Sequence, residues 1–324
     1  MRMDQSERQA WCNRATELGC PSEKIKNSDK ISEVILWCCY VSEEMKELGL
    51  WENVEDQSKQ KHVMLPFWNE NCRGLPNDIL RSALFAATKI KDRKIYDKEV
   101  IATIDGVEII CSGKQLDQSD LIVWEQLLHI ARTKPLEYTC EFTAYDFLIS
   151  INVGIRKEDY QWLNNTIYRL LSCTISIKKG DITYIGGLVR TCVHNDKTKK
   201  YELSLDSKMI NLYYKNGWTA LKLEMIQTLR NKPLARWLAN YYATHAKPYP
   251  IKVDTIMNIC GSKNKSVASF KKQLLVALDV LQETNTITRW SIDEENDLIV
   301  VDRGDTATQS QQRHLKKKCG ITAG

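Results

Sequence analysis

The chain is 324 residues long, enough for two domains with separate cores, and its 43% hydrophobic and 27% charged content is ordinary for a globular protein. Seven prolines and 14 glycines argue against long flexible linkers, and no apolar run approaches the ~18 residues that a membrane span needs. The net charge of +5 favours an acidic partner, and the first residues lack the apolar stretch of a signal peptide, so a cytoplasmic location is expected.

Residues 1–62 predict an N-terminal helical extension and linker. Ile31, Val34, Ile35, Cys38, Val41, Met45 and Leu48 recur at helical spacing and form an apolar stripe expected to pack on the body of the protein. The polar stretch 52–61 then serves as the linker. From Leu65 onward Asn77-Asp78 starts a helix over 77–87. Residues 100–104 and 107–111 alternate around Asp105-Gly106, a hairpin signal. Helices follow over 119–132, 143–151 and 157–171, then strand-like runs over 174–178 and 182–190 and a strand pair around 194–200. Three helices followed by a β-hairpin is the order of a winged helix.

That order returns. Helices are expected over 220–229 and 233–245, with Pro233 in a favourable first-turn place. A helix–turn–helix spans 253–260 and 266–282, and strands over 286–292 and 298–302 flank a polar turn. The expected fold is therefore α+β and mostly helical: two tandem winged-helix domains, 63–201 and 202–303, after the N-terminal helical extension. A disordered basic tail, 304–324, carries Arg313, Lys316, Lys317 and Lys318.

Charge singles out the second unit. Between 247 and 272 there are six lysines against one acid, Asp254, an excess equal to that of the whole chain. At about 3.6 residues per turn, Val267, Phe270, Leu274, Leu278 and Leu281 form the core stripe of 266–282. Lys265, Ser266, Ser269, Lys272 and Gln273 face away from it, with Val276 beside them. Glutamine can pair with adenine, lysine can reach guanine or phosphate, and an apolar side chain can meet a thymine methyl. Lys263 and Lys271 on the flanks, with Lys252 and Arg289, suit phosphates, which set register rather than sequence. The helix over 157–171 offers Gln161, Asn165 and Arg169 among mixed charges. It is assigned to backbone positioning and protein–protein contact, and its unit to dimerisation.

Catalytic patterns are missing. Residues 261–266 lack the spacing of a phosphate loop and lie between helices. The five histidines are isolated, and Asp117, Asp120 and Glu125 are taken as helix N-terminal charges and solvated faces. Eleven cysteines include no C-x-x-C and are expected to be reduced and buried. No enzymatic activity, metal or cofactor is expected. The residues suit a site-specific double-stranded DNA-binding protein, and a transcriptional regulator acting on its own operator is the alternative.

Several long blocks carry a resemblance: Leu65-Pro-Phe-Trp68, Gly74-Leu-Pro-Asn-Asp-Ile-Leu-Arg-Ser-Ala-Leu-Phe85, Trp124-Glu-Gln-Leu-Leu-His-Ile-Ala-Arg132, Glu141-Phe-Thr-Ala-Tyr145, Lys232-Pro-Leu-Ala-Arg-Trp-Leu238 and Thr244-His-Ala-Lys-Pro-Tyr-Pro-Ile-Lys-Val253, with Ile259-Cys-Gly261. Over 65–303 the chain resembles the TrfA family of plasmid replication initiators. The resemblance implies binding to direct repeats (iterons) at a plasmid origin as a monomer, with opening of an adjacent AT-rich segment. It also implies recruitment of the host initiator ATPase, replicative helicase and sliding clamp. Dimers formed through the first winged helix would be inactive and would limit copy number. The family's clamp-binding peptide, Gln followed by Leu and Phe, has only a poor counterpart in 60–67.

Overall fold

A computed structural model describes residues 63–89 and 92–303, together with Asn13. The stripe expected over 31–48, the linker 52–61 and the basic tail lie outside the described residues.

The fold is α+β. Strand β1 (Cys72–Pro76) leads into α1 (Asn77–Leu80) and the short β2 (Phe85–Ala86), followed by β3 (Ile95–Ile101), β4 (Glu108–Lys114) and β5 (Leu116–Asp117). The β3–β4 turn holds Asp105 and Gly106 at φ 66° and 69°, as the sequence predicts for a tight hairpin. The helix expected over 77–87 stops at Leu80, because Phe85-Ala86 pairs in parallel with Leu116-Asp117 and Phe85 O accepts from Gln118 Nε2 at 2.7 Å. Tertiary pairing outweighs local helix propensity there.

Next come α2 (Gln118–Ala131), β6 (Cys140–Thr143), α3 (Ala144–Ser150), α4 (Lys157–Leu171), β7 (Thr174–Lys179), β8 (Ile182–Gly187), β9 (Thr191–Asn195) and β10 (Lys200–Ser204). A 3-10 segment, Ser207–Asn216, precedes β11 (Trp218–Lys222), α5 (Leu223–Thr228) and α6 (Pro233–Ala243). The helix expected over 220–229 is thus a strand for its first part: β11 pairs antiparallel with β1, and Trp218 packs on Trp68 and Tyr213. The chain closes with β12 (Ile251–Lys252), α7 (Val253–Ile259), α8 (Val267–Glu283), β13 (Arg289–Asp293) and β14 (Leu298–Asp302).

One arrangement occurs twice. In each case a helix, a short strand, two helices and a hairpin follow in order, and the short strand pairs with the hairpin's second strand. The sheets are β6-β10-β9 and β12-β14-β13. The first copy contains an insertion. Its β7–β8 hairpin does not join β6 but extends β3–β4 into a four-stranded sheet, β3-β4-β7-β8.

Two apolar cores divide between Ile226 and Leu229. Residues 202–226, expected in the second domain, therefore pack with the first, because β10 completes the first copy's sheet and β11 is the partner of β1. The joint between the cores is polar. Arg236, fully buried on α6, donates to both oxygens of buried Glu125 on α2 at 2.9 and 2.8 Å, and to Gln118 O at 3.0 Å. Segment 81–87 docks on the second core: Arg81 Nε donates to Thr244 Oγ1 at 2.8 Å, Trp237 Nε1 to Ser82 O at 3.0 Å and Ala87 N to Cys260 O at 2.8 Å. No helix among the described residues is long and apolar enough to cross a membrane.

Candidate nucleic-acid interface

The second copy's helix pair is built by burial on one side and polarity on the other. Val253, Ile256 and Ile259 anchor α7, and Phe270, Leu274, Ala277, Leu278 and Leu281 anchor α8. Each large apolar side chain contributes roughly 1.5–3 kcal/mol by leaving water. Val267, expected in that stripe, is 37% exposed at the helix start, one turn beyond the reach of the core. Gly261 makes the turn possible. Its φ is +66°, and a Cβ there would lie 3.1 Å from Ala86 Cβ and 3.2 Å from Ala83 Cβ. Ser266 caps α8, its Oγ accepting from Ser269 N at 3.2 Å.

The outward face is open. Lys265, Ser266, Ser269, Lys272, Gln273 and Val276 are all exposed, as are Lys252 at the start of α7 and Lys263 in the turn. Among the described residues, Lys252, Lys265 and Lys272 have no acid in ion-pair reach, and Lys263 Nζ meets only Asp92 O at 3.5 Å. Gln273 is not loose: its Oε1 accepts from Asn264 Nδ2 at 3.1 Å. Sequence reasoning missed Asn264, whose only signal is a polar amide in the turn.

Two phosphate candidates have acidic partners within the fold. Lys271 Nζ donates to Glu294 and Asp297 at 2.7 Å each, so its charge is spent on the hairpin tip. Those bonds raise the lysine's pKa. The acidic hairpin tip is thereby fastened to α8. Arg289 is exposed but shares its charge with Asp302 at 3.2 Å.

On the first copy's α4, Gln161 and Asn165 are exposed beside Tyr168, whereas Arg169 turns inward. Its Nε and Nη2 donate to Asp120 Oδ1 at 2.9 and 2.7 Å, and Nη2 also donates to Thr166 Oγ1. Arg169 thus compensates a fully buried carboxylate, shared with Arg93 at 2.7 Å, and is withdrawn from any DNA face. Asp120 lies in the first helical turn as expected but is not solvated; burial and nearby Asp117 push its carboxyl pKa up, against Arg169 and Arg93. Glu125, also expected on a solvated face, is the buried partner of Arg236. Burial raises the carboxyl pKa of Glu125 and lowers that of the Arg236 guanidinium, and each counters the other's shift. His129 is buried, its Nδ1 accepting from Trp68 Nε1 at 3.1 Å while Nε2 meets Glu70 Oε2 at 3.0 Å. Desolvation and Arg73 lower its pKa to about 3, so the ring is neutral. The described cysteines are free thiols, with Cys111, Cys140, Cys173 and Cys260 buried.

The family model for the TrfA protein matches residues 40–303, well over half of the chain. The chain belongs to the TrfA family. The Plasmid replication initiator protein TrfA of Escherichia coli is 24% identical over 255 residues, which are 75% of this chain and 66% of that protein, so just under two thirds of the relative's length is spanned. Among solved structures, domain 2 and domain 3 of RctB align with a TM-score of 0.50 at 13% identity, covering 71% of this chain and 99% of that one. That likeness concerns the fold alone. A second structure of the same RctB domains reaches a TM-score of 0.45.

Within this TrfA-family chain, the blocks that carried the resemblance lie chiefly in the cores and the joint: Trp68, Leu75, Trp124, Glu125, Arg236 and Trp237 are buried. The exposed polar face of α8 lies beyond them. In the poor counterpart of the clamp-binding peptide, Leu65 is fully buried and 63, 64, 66 and 67 are half-buried, while 60–62 lie outside the described residues.

Proposed function

We propose that this chain is a plasmid replication initiator that binds direct repeats at its origin as a monomer through two winged helices. The exposed polar face of Val267–Glu283 carries the reading, since Lys265, Ser269, Lys272 and Gln273 stand clear of the core beside a hairpin. A helix with that face fits the major groove and can contact phosphates and base edges together. The second copy reads sequence. The first supplies backbone contacts through Gln161 and Asn165 and the surface for self-association, and dimers limit copy number. Binding promotes opening of AT-rich DNA and recruitment of the host initiator ATPase, replicative helicase and sliding clamp. The protein acts in the cytoplasm by binding, without catalysis of its own.

A nuclease footprint of the purified chain on its own origin tests the proposal. Protection at evenly spaced short repeats is expected; binding without repeat-spaced protection overturns it. A regulator confined to its operator would fail to support replication of a plasmid carrying only this gene and the repeats.

A further inference from the structure

Asn264 sits in the turn between α7 and α8, and its side chain reaches across to the reading face. Its Nδ2 donates to Gln273 Oε1 at 3.1 Å and to Ser262 Oγ at 3.1 Å. Its backbone N–H donates to the same serine oxygen at 3.2 Å. Gln273 Nε2 stands 3.5 Å from Asn264 Oδ1, so the two amides face each other edge to edge. A side-chain amide carries two N–H donors, and both of those on Asn264 are committed. Its plane is therefore set by the turn, and it has no donor left for a base.

We infer that Asn264 is a positioning residue that holds Gln273 in the orientation in which it meets DNA. This rests on the proposal that Val267–Glu283 reads duplex DNA. A free glutamine on a helix surface samples several rotamers, and fixing one at an interface subtracts from the contact it makes. Bonded to Asn264, Gln273 has surrendered much of that freedom before DNA arrives. What remains for a base is its outer Nε2–H and the second lone pair of Oε1. Gln273 is exposed and Asn264 only half-buried, so the bond adds little to fold stability and acts through direction. The turn that separates the helices thereby sets the specificity of the second one.

The test uses the full chain and duplexes bearing the origin repeat, with each of the four base pairs placed in turn at every position. Competition binding then gives the preference at each position. Gln273→Ala should erase the preference at one position, by roughly 5- to 150-fold for a well-directed base contact. Asn264→Asp keeps the size and turn propensity of asparagine but has no side-chain N–H. It should lose most of the preference at that same position, and combining it with Gln273→Ala should remove nothing further. Its added negative charge weakens binding to every duplex alike and cancels in the ratio, and Asn264→Ala repeats the test without charge. Wild-type preference retained in both Asn264 variants overturns the inference, as does a double variant whose loss is the product of the two. A Gln273→Ala variant with unchanged preferences everywhere also overturns it, even where Lys272→Ala still weakens repeat binding. Absence of repeat protection by the wild-type chain would instead overturn the function proposed above.

Discussion

Replacing Arg236 by methionine removes the cation that compensates Glu125 while keeping an unbranched chain of similar length. Both side chains are almost wholly screened from solvent, at 0% and 2% exposure, and Arg236 makes two bonds to the carboxylate and one to Gln118 O. Leaving one member of such a pair alone costs about 3–5 kcal/mol, a large share of the roughly 5–15 kcal/mol that separates folded from unfolded protein. For a chain of this size that is a fall in Tm of about 6–20 °C. Replacing both, as Glu125→Leu with Arg236→Met, removes the uncompensated charge. The double variant should return to within about 1 kcal/mol of wild type. Urea unfolding followed by tryptophan fluorescence suits the measurement, because Trp124 and Trp237 are buried on the two helices concerned. In the single variant, the lone carboxyl should take up a proton on folding. Its folded pKa then lies above the unfolded value, so the deficit should shrink as pH falls towards about 4.5. A single variant that loses less than about 1 kcal/mol, or a double variant as unstable as the single, would refute the reasoning.

Lys272→Ala and Lys265→Ala should each flatten the slope of log K against log salt by about 0.9, as one lost phosphate contact does. Lys271→Ala should leave that slope nearly unchanged while weakening binding at every salt concentration, because it frees Glu294 and Asp297 beside the DNA; salt titrations of the three variants check this. Arg169→Ala should lower the unfolding free energy by at least about 1 kcal/mol, since Asp120 keeps only Arg93, with repeat affinity little changed when both are measured on folded protein. His129 is neutral when folded and its folded pKa is the lower one. Its contribution to stability is therefore complete above about pH 6.5 and lost towards pH 3, at up to about 1.4 kcal/mol per pH unit. Unfolding free energies of His129→Gln should fall less steeply across that window; an unchanged slope would show that another group titrates.

The amphipathic pattern of α8 was legible in its residues. A buried face of Phe270, Leu274, Leu278 and Leu281 opposite Lys265, Ser269, Lys272 and Gln273 follows from helical repeat and the hydrophobic effect alone. The β3–β4 turn and α4 were legible for the same local reasons. The sequence pattern failed where distant partners compete with local preference. Residues 85–86 and 218–222 became strands because strands far along the chain offered them backbone bonds. The inward turn of Arg169, the capture of Lys271 by the hairpin and the burial of Glu125 against Arg236 all depend on groups 23 to 111 residues away. Sequence thus determined which residue types could meet a phosphate or a base, and on which helix they would lie. Tertiary structure decided which of those charges remain available, because a carboxylate brought close by folding satisfies a cation before any ligand can.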